Sequence, residues 1–413
     1  MPKLITTRQN GQVIHIISYK KSISVQESSM KKTLISLALL ATSGSVLATE
    51  LYNGRLSGMA GAGYVTGGYS DGVLLNPSLV ASHGAKDDFA LVINAGALGS
   101  DKDDLIDGLD DLVDFTDYLQ SATNLTEADA DELKRLMANV DDKTLGATFG
   151  ASTVLAIPNS IISAALILKA TGTVGLLANI DDSDYELIDD RTNTNFDPED
   201  LQSSVIGRGV VVKELGVALA KNVSPSDDYQ LLVGITPKRI EVDTIVYEAT
   251  VADYDEDDLD ADDYTITGKT SGLDAGITYI KGNLRYGLTI SNLSSKKFKS
   301  IAEGETFELA TRTTAAIGYT GDWYKAEASV DLDAVPTFGL GGDTQIFRAG
   351  VEVSPLSWLQ LRAGIQRDLE DTLPDAYSVG IGFSPFNVIN IDLAGYSGSD
   401  ETVGGAVQLG LRF

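Results

Sequence analysis

The stretch Leu359-Gln360-Leu361-Arg362-Ala363-Gly364-Ile365-Gln366 puts an apolar side chain at every odd position and a polar residue or glycine at every even one. Side chains of an extended strand point alternately to its two faces, so a period of two marks a strand with one apolar and one polar face. The pattern recurs upstream. Phe347, Ala349, Val351 and Val353 alternate with Arg348, Gly350 and Glu352. Tyr324, Ala326, Ala328, Val330 and Leu332 alternate with Lys325, Glu327, Ser329, Asp331 and Asp333. Leu284, Tyr286, Leu288 and Ile290 alternate with Arg285, Gly287 and Thr289. From about residue 270 onward the chain reads as successive strands.

A soluble sandwich also alternates, apolar face inward. Three features favour the inverse, a transmembrane barrel with its apolar face outward. The strands run about nine to eleven residues, enough to cross a bilayer when tilted. An export signal gives the chain an outer membrane as destination. The chain also ends on a strand, Val407-x-Leu409-x-Leu411-x-Phe413, whose terminal aromatic resembles the signature read by outer-membrane barrel assembly machinery.

Turn signals supply an independent count. Pro158-Asn159, Ser224-Pro225-Ser226-Asp227, Gly282-Asn283, Gly321-Asp322, Ser354-Pro355 and Ser384-Pro385-Phe386-Asn387 read as short turns. Longer polar stretches separate them, near 181–203, 241–268, 293–305, 334–343, 367–375 and 397–402. Short turns alternating with long loops are the asymmetry of an outer-membrane barrel. Six hairpins at the turns, with a strand before them (Phe89–Ala97) and one after (Val403–Phe413), predict an all-β antiparallel barrel of about 14 strands, within roughly 12–16. The apolar segment Asn159–Ile180 is open to a spanning helix, but Lys169, Gly172, Gly175 and its Thr and Val content favour a strand.

Residues 101–143 change period. Leu105, Ile106, Leu109, Leu112, Val113 and Leu119 recur at helical spacing, and Leu133, Leu136, Met137 and Val140 form a second stripe behind Thr126, a candidate N-cap. This small helical insert packs on the barrel or docks a partner. The acidic run Asp253–Asp260 lacks the Gly and Glu of a calcium-binding EF-hand loop and reads as a solvated external loop.

Met30-Lys31-Lys32, the apolar run 33–41 and Val46-Leu47-Ala48 form a secretory signal peptide over 30–48, cleaved after Ala48. Residues 1–29 match no targeting pattern, and a misassigned start is the simplest account of them. The chain carries Lys+Arg 31 against Asp+Glu 59, a formal charge of −28. Without residues 1–48 the count is 25 against 58, or −33. Such an anionic excess argues against nucleic acid as a partner. The absence of Cys excludes disulfide, thiol redox and Cys-ligated metal chemistry.

Signatures of catalytic chemistry are few in the chain. His83 is the one histidine outside residues 1–48; no G-x-S-x-G elbow accompanies it, and it reads as a polar plug residue rather than a catalytic base. No metal site, cofactor or enzymatic activity is expected. What remains is the polar face of the strands. Arg285, Arg348, Glu352, Arg362, Gln366, Gln408 and Arg412 are candidates to line the lumen, since an Arg facing mid-membrane lipid would cost roughly 2–4 kcal/mol. They form either a structural network or the lining of a conduit.

Two blocks carry a family resemblance. The first is Arg55-Leu56-Ser57-Gly58-Met59-Ala60-Gly61-Ala62-Gly63 followed by Leu74-Leu75-Asn76-Pro77-Ser78; the second comprises Val353-Ser354-Pro355-Leu356, Leu361–Gly364, Gly380–Phe386 and Val407–Phe413. Together they resemble the conjugal transfer TraF-like outer-membrane family. The first is also similar to the N-terminal hatch of the FadL long-chain fatty-acid transporters, with Ser78 where those have Ala. The resemblance implies a 14-stranded barrel with a hatch over 49–87, in which Gly58, Gly61, Gly63, Asn76 and Pro77 are the candidate plug residues, and a barrel over 88–413. It implies a plugged channel for small hydrophobic molecules or, alternatively, an assembly component of a conjugation or secretion apparatus. Expected partners are outer-membrane lipid, the assembly machinery that reads Phe413, a small hydrophobic ligand, and transfer or secretion proteins.

Overall fold

The computed structural model describes residues 3–9, 12–18, 52–101, 104–121, 126–141, 143–190, 200–224, 228–250, 264–301, 306–337, 342–373, 375–399 and 402–413. The signal peptide, the acidic run Asp253–Asp260 and the turn residues 225–227 lie outside this set. The chain divides into two compact units, 1–41 and 42–413. In the first, Lys3–Gln9 pairs antiparallel with Gln12–Ser18 as a hairpin, within the stretch expected to be a leader.

The second unit holds a closed barrel of 14 antiparallel strands. They are β1 (Ala90–Ser100), β2 (Thr144–Ile157), β3 (Ser163–Asn179), β4 (Ser204–Asn222), β5 (Gln230–Thr250), β6 (Thr265–Lys281) and β7 (Leu284–Ser291). The second half comprises β8 (Arg312–Thr320), β9 (Tyr324–Asp331), β10 (Ile346–Leu356), β11 (Leu359–Asp368), β12 (Ala376–Phe383), β13 (Ile389–Gly398) and β14 (Val403–Arg412). Each pairs with its sequence neighbours, and β14 closes on β1 with Val407 opposite Ala95.

Burial is inverted relative to a soluble protein. Leu361, Ile365, Val379, Ile381, Leu393 and Leu409 are exposed on the outer wall, while Arg348, Glu352, Arg362 and Gln366 are buried inside. Outward apolar and inward polar residues are the pattern of a barrel whose solvent is lipid. Aromatic pairs gather at the short-turn rim: Tyr279 with Tyr286, Trp323 with Tyr324, and Trp358 with Phe383. Such rings suit the membrane–water interface. Phe413 stacks on Phe89 at 4.7 Å, and its carbonyl accepts the Asp88 N–H at 2.7 Å, sealing the barrel seam at that rim.

The apolar segment at 159–180 is strand β3, and the first strand runs Ala90–Ser100 rather than Phe89–Ala97. Three expectations need correction. Ser354-Pro355 is not a turn: β10 continues through it with a register shift between Val353 and Leu356, and the chain reverses at Ser357-Trp358. A bulge accommodates a proline because its missing N–H falls where the ladder is already broken. Strand length is also greater in the first half, where β2 to β6 run 14 to 21 residues; this absorbs residues 241–250 and 265–268 of the expected loop 241–268. The stretch 181–203 contains a helix, Asp182–Asp189, whose start is capped by Asp181 accepting the Ser183 N–H at 2.8 Å.

The helical insert forms α1 (Leu105–Ser121) and α2 (Glu127–Val140). Thr126 caps α2, and a reciprocal bond from its own N–H to Asp129 at 3.0 Å completes a capping box. Leu133 and Met137 pack with Leu119, Ile188 of the Asp182–Asp189 helix and Leu201. Leu105 and Val140 pack on Leu145 of β2 and Ala178 of β3, so the insert sits on the long-loop end of the barrel.

Candidate functional site

Residues 52–83 fill the lumen as a hatch with little regular structure: one helical turn at Gly54–Ser57 and 3-10 turns at Gly72–Leu74 and Pro77–Ala81. Such a segment cannot satisfy its own backbone, so the wall does it. Glu327 of β9 accepts the N–H groups of Gly63 at 2.7 Å, Tyr64 at 2.6 Å, Val65 at 3.0 Å and Thr66 at 2.8 Å. Arg55 reaches Asp71 at 2.8 Å within the hatch and Glu352 of β10 at 3.1 Å. Glu352 also takes Arg362 at 2.7 Å and Lys325 at 3.2 Å, and Arg362 passes on to Asp392 at 2.8 Å.

The expected plug residues occupy distinct positions. Asn76, fully buried, caps the second 3-10 turn: its Oδ1 accepts the Ser78 N–H at 3.0 Å, and its Nδ2 donates to Tyr64 O at 2.8 Å and Thr278 Oγ1 at 3.0 Å. Pro77 is the first residue of that turn, where its missing N–H costs nothing. Gly61 has φ +82°, a conformation that favours glycine. A Cβ on Gly58 would lie 3.0 Å from Gly380 Cα, and one on Gly63 2.3 Å from Leu56 Cδ2.

A belt of inward wall glycines matches the hatch. An added Cβ would stand 2.3 Å from Met59 C at Gly364, 2.6 Å from Met59 Cβ at Gly350 and 2.5 Å from Pro77 C at Gly234. At Gly276 it would be 2.0 Å from Asn76 Oδ1, and at Gly318 2.6 Å from Thr66 Cγ2. Hatch backbone therefore lies against wall backbone around much of the circumference.

The lumen candidates fall into three groups. Arg348, Glu352, Arg362, Gln366 and Gln408 are buried within the barrel; Arg348 pairs with Asp331 at 3.1 Å, and Gln408 donates to Asp392 at 3.1 Å. Arg285 donates to the hatch carbonyl of Val65 at 3.3 Å. Arg412 sits at the short-turn rim, grips Asp87 at 2.7 Å and covers the Tyr69 ring at 5.1 Å. His83 is nearby, its ring 6.4 Å from Tyr69 and its Nδ1 3.0 Å from Gly84 O, with no nucleophile bonded to it. Among the described residues no three His, Asp or Glu side chains converge as metal ligands.

Between the hatch and the long loops lies a cavity of about 270 Å³. Tyr64, Leu75 and Pro77 belong to its floor. Its roof is an infolded hairpin, Lys296–Lys299 paired with Thr306–Leu309, which packs Phe298, Phe307 and Leu309 against the inward Val210, Val212, Ile240 and Val242. Thr244 anchors the hairpin by donating to Lys299 O at 2.8 Å. One wall is charged: Lys238 bridges Glu214 at 2.6 Å and Asp274 at 2.9 Å, and Lys169 also pairs with Glu214. The roles of Glu327 and Arg55 and the presence of this cavity are not evident from the sequence; the one signal it carries for hatch packing is glycine at inward positions of successive strands.

Comparison with known proteins agrees with this architecture. No curated protein matches the sequence. Among solved structures, the Ralstonia pickettii toluene transporter TbuX superposes with a TM-score of 0.53 at 11% identity, over 89% of this chain and 100% of that one. A Pseudomonas aeruginosa FadL homologue superposes with a TM-score of 0.50 at 10% identity, over 88% and 98%. These likenesses establish an outer-membrane-type barrel fold. Residues 73–331 match the family described as F plasmid transfer operon, TraF, protein, and the chain belongs to that family.

Proposed function

We propose that the chain is an outer-membrane channel that admits small hydrophobic molecules past a hatch. The observation that carries this reading is the partly apolar lumenal cavity held between the hatch floor and the Thr306–Leu309 roof strand. An apolar cavity of about 150 Å³ suffices for benzene. A space of about 270 Å³ therefore suits a substituted monoaromatic better than a long acyl chain. The toluene-transporter likeness supports the same class. Export by the signal peptide at 30–48 and insertion by the machinery that reads Phe413 belong to this reading. Calorimetry on the purified chain tests it: saturable toluene binding is expected, and no binding of toluene or a short-chain fatty acid contradicts it. Membership of the transfer-operon family favours a second reading, an assembly component of a conjugation apparatus. That reading requires co-purification with transfer proteins and a mating defect on deletion.

A further inference from the structure

The outer wall carries a groove of about 880 Å³ across β1 to β6, apolar at one end and charged at the other. Two adjacent rows of outward side chains build it. In the first, Ile93, Thr153, Leu168, Leu215, Arg239 and Ser271 stand opposite one another across successive strands. In the second, Ala95, Ala151 and Ala170 continue into Lys213, Glu241 and Lys269. The alanines form a trough beside the bulkier Ile93, Leu168 and Leu215. The rows climb the barrel. Ile93 lies three residues from the short-turn end of β1, whereas Ser271 lies ten from the short-turn end of β6. The apolar end thus lies toward the short-turn side of the membrane and the charged end toward the external interface, where a Lys or Arg on the lipid face costs little.

The charged end is mixed and ordered. Lys213 pairs with Asp243 at 2.6 Å and Glu241 at 3.2 Å, and Lys269 pairs with Glu241 at 2.9 Å. Arg239 is exposed and has no ion pair among the described residues. We infer that this groove binds a phosphorylated glycolipid of the external leaflet. An acyl chain lies along Ala151 and Ala170, the phosphate meets Arg239 and Lys269, and the Glu241 and Asp243 carboxylates accept sugar hydroxyls. Those carboxylates would repel a bare anionic headgroup, which is why a sugar-bearing lipid fits better than a simple phospholipid. The inference rests on the outer-membrane part of the proposed function and is independent of transport.

The test uses the full chain, stripped of lipid and reconstituted in phosphatidylcholine with a bisphosphorylated acyl-glucosamine disaccharide, with bound glycolipid read by native mass spectrometry. Saturable binding is expected, weakened roughly tenfold or more by Arg239→Glu with Lys269→Glu. Ala170→Trp, which fills the trough from the lipid side, is expected to weaken it as well. Resistance of each variant to unfolding in cold SDS verifies the barrel. Unchanged binding in the folded variants overturns the proposal, as does equal displacement by phosphatidylglycerol. Lost toluene uptake with intact glycolipid binding would count against the transport reading alone.

Discussion

The carboxylate of Glu327 accepts the backbone N–H of Tyr64 at 2.6 Å, across a sequence separation of 263 residues. Gly63, Val65 and Thr66 donate to the same carboxylate, and the Thr66 hydroxyl adds a fifth bond at 2.8 Å. Successive amides converging on one anion form a nest. The hatch is thereby held in the lumen by a wall charge rather than by secondary structure of its own.

Glu327→Gln keeps the shape and replaces one acceptor oxygen with a donor that faces other donors. Hydrogen bonds to a charged group contribute roughly 1.5–3 kcal/mol each. Protease is expected to cut within residues 58–70 of the variant while the barrel still resists cold SDS. A hatch as protected as in the parent protein contradicts the role given to Glu327.

Gly364→Ala is expected to cost about 1–3 kcal/mol through overpacking. Its Cβ meets Met59 backbone at 2.3 Å, whereas a Cβ on Gly395 meets nothing within 4 Å. Thermal melts of Gly364→Ala and Gly395→Ala should therefore separate, with the second close to the parent. Equal melting temperatures would show that the belt does not constrain the hatch.

Arg55→Ala removes the shared cation of buried Asp71 and Glu352, and breaking such a pair costs about 3–5 kcal/mol. Arg55→Lys should rescue only part of this, because one ammonium cannot reproduce the guanidinium fork. Urea melts of the three proteins check the order: parent, then Lys, then Ala.

Much of the barrel was legible because its physics is local. Alternation in Leu359–Gln366 fixes which face Arg362 and Gln366 take, and the six turn signals, one of them displaced to Ser357-Trp358, lead to the 14 strands observed. Ser354-Pro355 misled because a proline in a bulge carries the same local signal as one in a turn. The Asp182–Asp189 helix was hidden by its acidic composition, although Asp181 caps it and Ile188 anchors it. Hatch contacts were illegible for a different reason. Inward glycines such as Gly364 leave room against the wall, but neither they nor Glu327 indicate that residues 59–66 fill it, since those contacts exist only after closure.

Phe413→Ala and Phe89→Ala should each lower the yield of folded barrel, because the 4.7 Å stack lies at the seam where β14 pairs with β1. The ratio of folded to unfolded bands after expression measures it. Parent-like yield in both variants would dismiss a role for the terminal aromatic in assembly.

The most direct measurement is initial uptake of labelled toluene by cells whose outer membrane otherwise excludes it, with the chain, with empty vector, and with Val212→Trp, which places an indole in the cavity. Faster uptake is expected with the parent chain and background uptake with an equal amount of folded Val212→Trp. Uptake that is the same in all three contradicts it.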